Sequence, residues 1–191
     1  MRIVGGTWRG RPLEAPDGRG TTRPTTDRVR ESMASMILSA AGLDLGGMSA
    51  LDAFAGSGAL GIELLSRGAA HVTFCDRDRG AAARVRRNLS SVGAPASCYA
   101  ILQGDAERLA ARASLPGAPF DVVVLDPPSA MGADAVASIV RGLASGGLLA
   151  PQALVAYERS ADAPALSSEG FAAIRQKRYG STSVDLLRRD V

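Results

Sequence analysis

Two short stretches hold the residues whose types and spacing could do chemistry, and each closes an apolar run. In the first, Asp52 to Gly61, the glycines Gly56, Gly58 and Gly61 stand in G-x-G-x-x-G spacing, and Asp76 lies 20 residues beyond Gly56. Spacing alone reads as a dinucleotide fingerprint. The detail points elsewhere. Pyrophosphate needs a helix N-terminus close behind the strand, and a carboxylate at Asp52, with Phe54 after it, repels that group. The same carboxylate could receive the ammonium of a methionine moiety. Asp76, ending the next apolar run, can accept hydrogen bonds from two ribose hydroxyls. Asp105, ending the one after, could meet an adenine amino group, with Ala106 offering its amide. Helix capping is the plain alternative for Asp76 and Asp105, because strand-to-helix turns favour Asp.

The second stretch is Asp126-Pro127-Pro128, after Phe-Asp-Val-Val-Val-Leu. Proline cannot donate to a sheet ladder, so the pair ends a strand and stiffens its exit. Nearby carbonyls and the Asp126 carboxylate are then fixed acceptors. An aromatic amine is a poor nucleophile, since its lone pair is delocalised into the ring. Acceptors on its two N–H groups can turn that lone pair toward an electrophile and stabilise charge growing on nitrogen. A simple Asp-Pro turn is the bland reading. Set beside the glycine loop, the clamp suggests methyl transfer from S-adenosylmethionine to a nitrogen of a nucleic-acid base.

The elements that must position these residues alternate. The periodicity predicts a helix from about Asp27, with Val29, Met33, Met36, Ile37 and Ala40 on one face. Strands follow at Ser49–Phe54, His71–Cys75, Cys98–Leu102, Phe120–Leu125 and Ala153–Tyr157. Helices are expected at Ala59–Arg67, Asp78–Ser91, Asp105–Arg112 and Ala133–Ala144. Phe171–Arg178 and Ser183–Arg188 read as a terminal hairpin. The fold class is α/β: a doubly wound, mostly parallel, seven-stranded sheet finished by an antiparallel hairpin. Ends of parallel strands on one side of a switch point share a crevice, which would bring the loop and the clamp together. Residues 1–25 are expected as a small basic arm, with Ile3-Val4 and Thr7-Trp8 as strands of a hairpin, and 26–191 as the catalytic domain.

A chain of 191 residues, 46% hydrophobic and 21% charged, fits one globular unit with a real core. The net charge of +3 is small, yet residues 1–30 hold seven arginines against Glu14, Asp17 and Asp27, a local excess of four. Such an arm attracts phosphates without reading sequence. Cys75 and Cys98 lack zinc or disulfide spacing and read as core residues in a reducing compartment. No apolar run approaches membrane length, and no secretory h-region opens the chain. The expectation is a cytoplasmic monomer without a metal or a membrane contact. His71 and Ser57 are poor candidates for base and nucleophile.

These residues resemble the class I S-adenosylmethionine-dependent methyltransferases, and more closely the RsmD family, bacterial enzymes acting on a guanine N2 of 16S ribosomal RNA. The resemblance spans nearly the whole chain, through Arg2–Arg11, Arg23–Glu31, Leu51–Gly61, Ser66–Ala69 and Asp126–Pro128. It implies a Rossmann-like fold and S-adenosylmethionine held by Asp52, Phe54, Ala55, Gly56, Ser57, Gly58, Asp76, Arg77, Asp105 and Ala106. It implies catalytic placement of Asp126, Pro127 and Pro128. It puts Arg2, Arg9, Arg11, Arg23, Thr25, Arg28, Arg30 and Ser129 on the RNA, with 16S rRNA or the assembling small subunit as partner. One departure stands out. The family continues Asp-Pro-Pro with an aromatic residue, and this chain has Ser129, which cannot supply the roughly 1–3 kcal/mol of base stacking. Methylation of DNA or protein amines remains open as an alternative, as does a catalytically weakened RNA-binding or assembly protein.

Overall fold

The computed structural model describes residues 1–16 and 27–190. After α1 (Asp27–Ala40), strand and helix alternate: β1 (Ser49–Asp52), α2 (Ala59–Ser66), β2 (His71–Asp76), α3 (Arg79–Ser91), β3 (Tyr99–Gln103), α4 (Ala106–Ala110), β4 (Phe120–Leu125), α5 (Ala133–Ser145) and β5 (Leu149–Ser160). β6 (Phe171–Tyr179) and β7 (Thr182–Arg189) complete one seven-stranded sheet in the order β3-β2-β1-β4-β5-β7-β6. β1 to β5 are mutually parallel, and β7 runs antiparallel between β5 and β6.

Both faces of the parallel strands are covered, which explains their continuous apolar runs. α1, α2 and α3 close one face over Met33, Ile37, Ile62, Phe74 and Val85. α4 and α5 close the other over Phe120, Val123, Leu125, Ile139 and Val140. Strand order reverses between β1 and β4, so the crevice of an open α/β sheet belongs at their carboxyl ends. Asp52 pairs with Val124, and Asp126 therefore leaves the neighbouring strand two residues farther along.

The N-terminal arm differs from its expected hairpin. Thr7 and Trp8 lie in turns, and among the described residues the pairing falls farther along the chain, at an antiparallel Arg2–Pro12 bridge flanked by the bonds of Ile3 N–H to the Arg11 carbonyl and Leu13 N–H to the Met1 carbonyl. The segment is instead bolted to the body. Glu63, fully buried on α2, accepts the amides of Val4 (2.8 Å) and Gly5 (2.7 Å). Ser66 Oγ accepts the Trp8 amide, and the Ser66 carbonyl accepts that of Thr7. Asn88 on α3 takes the Glu14 amide and donates to the carbonyls of Glu14 and Ser57. Gly6, at φ +76°, passes so near the Ser66 carbonyl that a Cβ would lie 1.8 Å from its oxygen. Only glycine fits there.

Candidate active site at the β1–β4 switch point

The glycine loop is tied at both ends to the sheet. Ala53 N–H extends the β1–β4 ladder to the Val124 carbonyl, and Ala55 N–H reaches the Cys75 carbonyl. Gly56 and Gly58 take positive φ (54° and 76°), turning the chain from strand into α2. A Cβ on Gly56 would meet nothing within 4 Å. The loop thus leaves open space beyond that glycine, where a cofactor has room.

Each acid at a strand end has an identified task. Asp52 is buried, and its Oδ2 accepts the Gly61 amide at 3.1 Å. Burial pushes its carboxyl up to about 7; the Gly61 hydrogen bond opposes this, and the nearby charges of Asp126 and Asp76 add to it. Through the Gly61 amide Asp52 supports the loop from beneath, and its negative field reaches the crevice when it ionises. Asp76 Oδ2 accepts the Gly56 amide at 2.8 Å, and its Oδ1 accepts that of Asp78. Asp105 caps α4 through the amides of Glu107 and Arg108. The cap leaves the Ala106 amide, the first of the helix, unconsumed by that carboxylate. A carboxylate oxygen has two lone pairs, so Asp76 and Asp105 keep capacity for ligand hydroxyl and amino donors. Carboxylates on three adjacent strands around an open glycine turn suit a cationic nucleoside such as S-adenosylmethionine.

Phe54 is partly buried against the α4–α5 core, and Ala55 is buried. Ser57 is buried with its hydroxyl 3.8 Å from Met1 Sδ, while Arg77 is exposed. Cys75, close behind, is no nucleophile: burial, with nearby acids, raises its thiol to about 12. His71 stands at the opposite, N-terminal end of β2.

Across the switch point, Asp126, Pro127 and Pro128 are partly exposed and Ser129 is exposed. The Pro128 carbonyl accepts the Met131 amide at 2.8 Å, closing a turn. One of the acceptors expected to face outward is therefore already engaged. Met131 packs against the α4–α5 core beside this turn, a neighbour that residue spacing did not single out.

The expected RNA-contacting arginines divide. Arg2, Arg9 and Arg28 are exposed. Arg11 is committed, with Nη1 donating to the Val92 carbonyl at the end of α3. Arg30 is a correction. It is only 1% exposed, and its Nη2 donates to the Arg2 carbonyl and to Asp27, so it joins α1 to the arm instead of facing RNA. Arg23 and Thr25 lie outside the described residues. Glu14 brings the arm to α3 through Arg87 (2.7 and 2.8 Å), with Arg84 at 3.8 Å, and the Arg87 bond holds its carboxyl below the usual range.

Sheet order, glycine turn and acids at successive strand ends define a class I S-adenosylmethionine-dependent methyltransferase; chains of this fold at lower identity include one solved with S-adenosylmethionine bound. The family described as "Conserved hypothetical protein 95" matches residues 1–188. The chain belongs to that family, the RsmD methyltransferases. Ribosomal RNA small subunit methyltransferase D of Escherichia coli K12 is 38% identical over 162 residues, 83% of this chain and 74% of the relative. The protein of that name from Haemophilus influenzae is 34% identical over 187 residues, 97% and 92% of the two chains. The solved "Putative methyltransferase yhhF" from Escherichia coli superposes with a TM-score of 0.82 at 32% identity, covering 100% of this chain and 98% of that one.

Proposed function

We propose that this enzyme methylates the exocyclic N2 amine of a guanine in small-subunit (16S) ribosomal RNA. The observation carrying the proposal is the juxtaposition at the switch point. The Asp126-Pro127-Pro128 exit of β4 adjoins the glycine turn leaving β1, on strands paired through Asp52 and Val124. The RNA substrate is inferred from the names of the two curated relatives. The amine target rests on the Asp-Pro-Pro chemistry, and its being guanine N2 rests on the family resemblance carried by Arg2–Arg11 and Arg23–Glu31.

S-adenosylmethionine supplies, when bound, an electrophilic methyl group on a sulfonium. Asp76, Asp105 and the Ala106 amide would hold its nucleoside part, with Gly56 giving it room. Asp52 braces the loop and contributes negative field. The Asp126 carboxylate and the Pro127 carbonyl accept the two N–H groups of the guanine amine and fix its lone pair in line. Charge developing on nitrogen is stabilised by those same acceptors, already in place. The surplus proton leaves to solvent or through Asp126. We read 1–25 as the RNA-facing arm, 26–191 as the catalytic unit, and the whole as a cytoplasmic monomer.

The test is transfer of tritiated methyl from S-adenosylmethionine to 16S rRNA or small subunits, DNA and protein, followed by nucleoside mass spectrometry. N2-methylguanosine in the RNA is the expected product. Asp126→Ala should lower turnover at least a hundredfold, roughly 3 kcal/mol of lost stabilisation, with cofactor affinity retained. Near-normal turnover of that variant would remove the clamp. Ribosomal binding without methyl transfer by the parent chain would instead favour an assembly protein, the reading that Ser129 invites.

A further inference from the structure

We propose that the C-terminal hairpin is a second RNA-contact surface: Arg175, Lys177 and Tyr179 on β6, with Arg28 on α1, form a track guiding the RNA strand next to the target base. The proposal rests on the reading of RNA as substrate.

Register defines the track. Arg175 pairs with Leu186, Lys177 with Val184 and Tyr179 with Thr182. Val184 and Leu186 belong to the core on the α1 side, and directly paired residues share a face, so Arg175, Lys177 and Tyr179 face that side too. α1 covers β5 and β7, but β6 lies beyond it and is exposed from Ala172 to Arg178. The strand carries three cations, Arg175, Lys177 and Arg178, and no acid. Arg178 is diverted to the Gly180 carbonyl and Asp162. Arg175 has no ion pair among the described residues, and the Lys177 ammonium stands 5.2 Å from the centre of the Tyr179 ring.

Position links the track to the chemistry. β6 runs parallel to β4 across β7 and β5, and its last residue, Tyr179, reaches the edge where β1 to β5 end. Three strand spacings separate β6 from β4, about 14 Å. That is too far to cover the target base and suits a nucleotide flanking it. Tyr179 is only partly buried, and its hydroxyl bonds Ser32 Oγ on α1. Arg28 lies one helical turn from Ser32 on the same face, exposed and without an ion pair among the described residues; its sequence neighbours Asp27 and Glu31 are exposed acids. Cations beside an aromatic ring, open to solvent at the mouth of a crevice, match the chemistry of a single nucleic-acid strand: phosphate neutralisation plus a stacking face.

Methyl transfer to 16S rRNA and filter binding of the same RNA across a salt series test this. In Arg175→Ala/Lys177→Ala, both exposed positions, the RNA KM should rise roughly tenfold with kcat and S-adenosylmethionine affinity kept. The slope of log affinity against log salt should fall by about 1.4, for two phosphate contacts on a single strand. Tyr179→Phe keeps the ring and should hold the parent's affinity, whereas Tyr179→Ala should lose about tenfold. Parental KM and salt slope in the double variant, with the parent enzyme methylating RNA, would overturn the track and leave the function standing. A parent chain that neither binds nor methylates RNA would overturn the function and the track together.

Discussion

Single residues divide by whether their role depends on local turns or on distant partners. The acids at strand ends were legible because a strand-to-helix turn and a cofactor both ask for Asp there. Arg30 was not. Its burial depends on the Arg2 carbonyl, 28 residues away, and no local pattern reports that. Glu63 left a faint signal, the one charged residue of a helix that is otherwise apolar but for Ser66 at its end, which is the pattern of a wholly buried helix. Asp52 yields a residue-scale prediction. Its folded pKa is raised to about 7 from 3.8, first by burial, so the folded state binds the extra proton between those values. Stability therefore falls as pH rises through that window. Asp52→Asn should remove the fall and be more stable than the parent at pH 8, by at most roughly 4 kcal/mol. Thermal melts from pH 4 to pH 8 measure it. A parent no less stable relative to Asp52→Asn at pH 8 than at pH 4 would refute the assignment. The same variant should bind S-adenosylmethionine more weakly, having lost the ionisable group beneath the loop.

Whole elements were more legible than their joints. The core helices and strands follow their apolar periods, with ends shifted by a residue or two. β5 extends from the expected Ala153–Tyr157 to Leu149–Ser160, because its extra residues gain ladder partners on β4 and β7. Thr7-Trp8 does not form the arm's second strand because side chains of α2 take the amides of Val4, Gly5 and Trp8, and the antiparallel pairing moves to Arg2 and Pro12. α2 approaches the sheet closely at Gly61. A Cβ on Gly61 would lie 2.3 Å from Phe74 Cε1 and 3.0 Å from Val72 Cγ1, both fully buried. Gly61→Ala should gain about 1 kcal/mol of helix propensity and lose roughly 1–3 kcal/mol to overpacking. Overpacking wins, since a buried ring cannot swing away. Denaturant titration should show a lower midpoint at unchanged slope, and Phe74→Leu should relieve the Gly61→Ala loss in a double-mutant cycle. Additive losses would mean that the ring is not the obstacle.

At the scale of the molecule, strand alternation predicts a doubly wound sheet, and a switch point between β1 and β4 follows from it. What alternation cannot give is where the two end segments pack. The N-terminal arm lies over α2, with Met1 Sδ 3.8 Å from Ser57 Oγ in the glycine loop, and the C-terminal hairpin lies at the far edge of the sheet, where the buried Arg159–Asp185 pair (2.7 Å) fastens β5 to β7. Since α2 begins at the glycine loop, an arm anchored on Glu63 joins the proposed RNA-facing surface to the loop proposed to hold the cofactor. Glu63 accepts Val4, Gly5 and Arg67 Nε together. Glu63→Gln replaces one acceptor oxygen by an N–H donor, leaving an arm amide facing a donor. Each hydrogen bond to a charged group contributes about 1.5–3 kcal/mol, so the arm should open locally before the domain unfolds. Hydrogen exchange at residues 3–8 should accelerate at least tenfold while β1 and β4 keep their protection, and RNA affinity should fall further than S-adenosylmethionine affinity. Uniform acceleration across the sheet would make Glu63 part of the global core, and the arm no separate lever on the site.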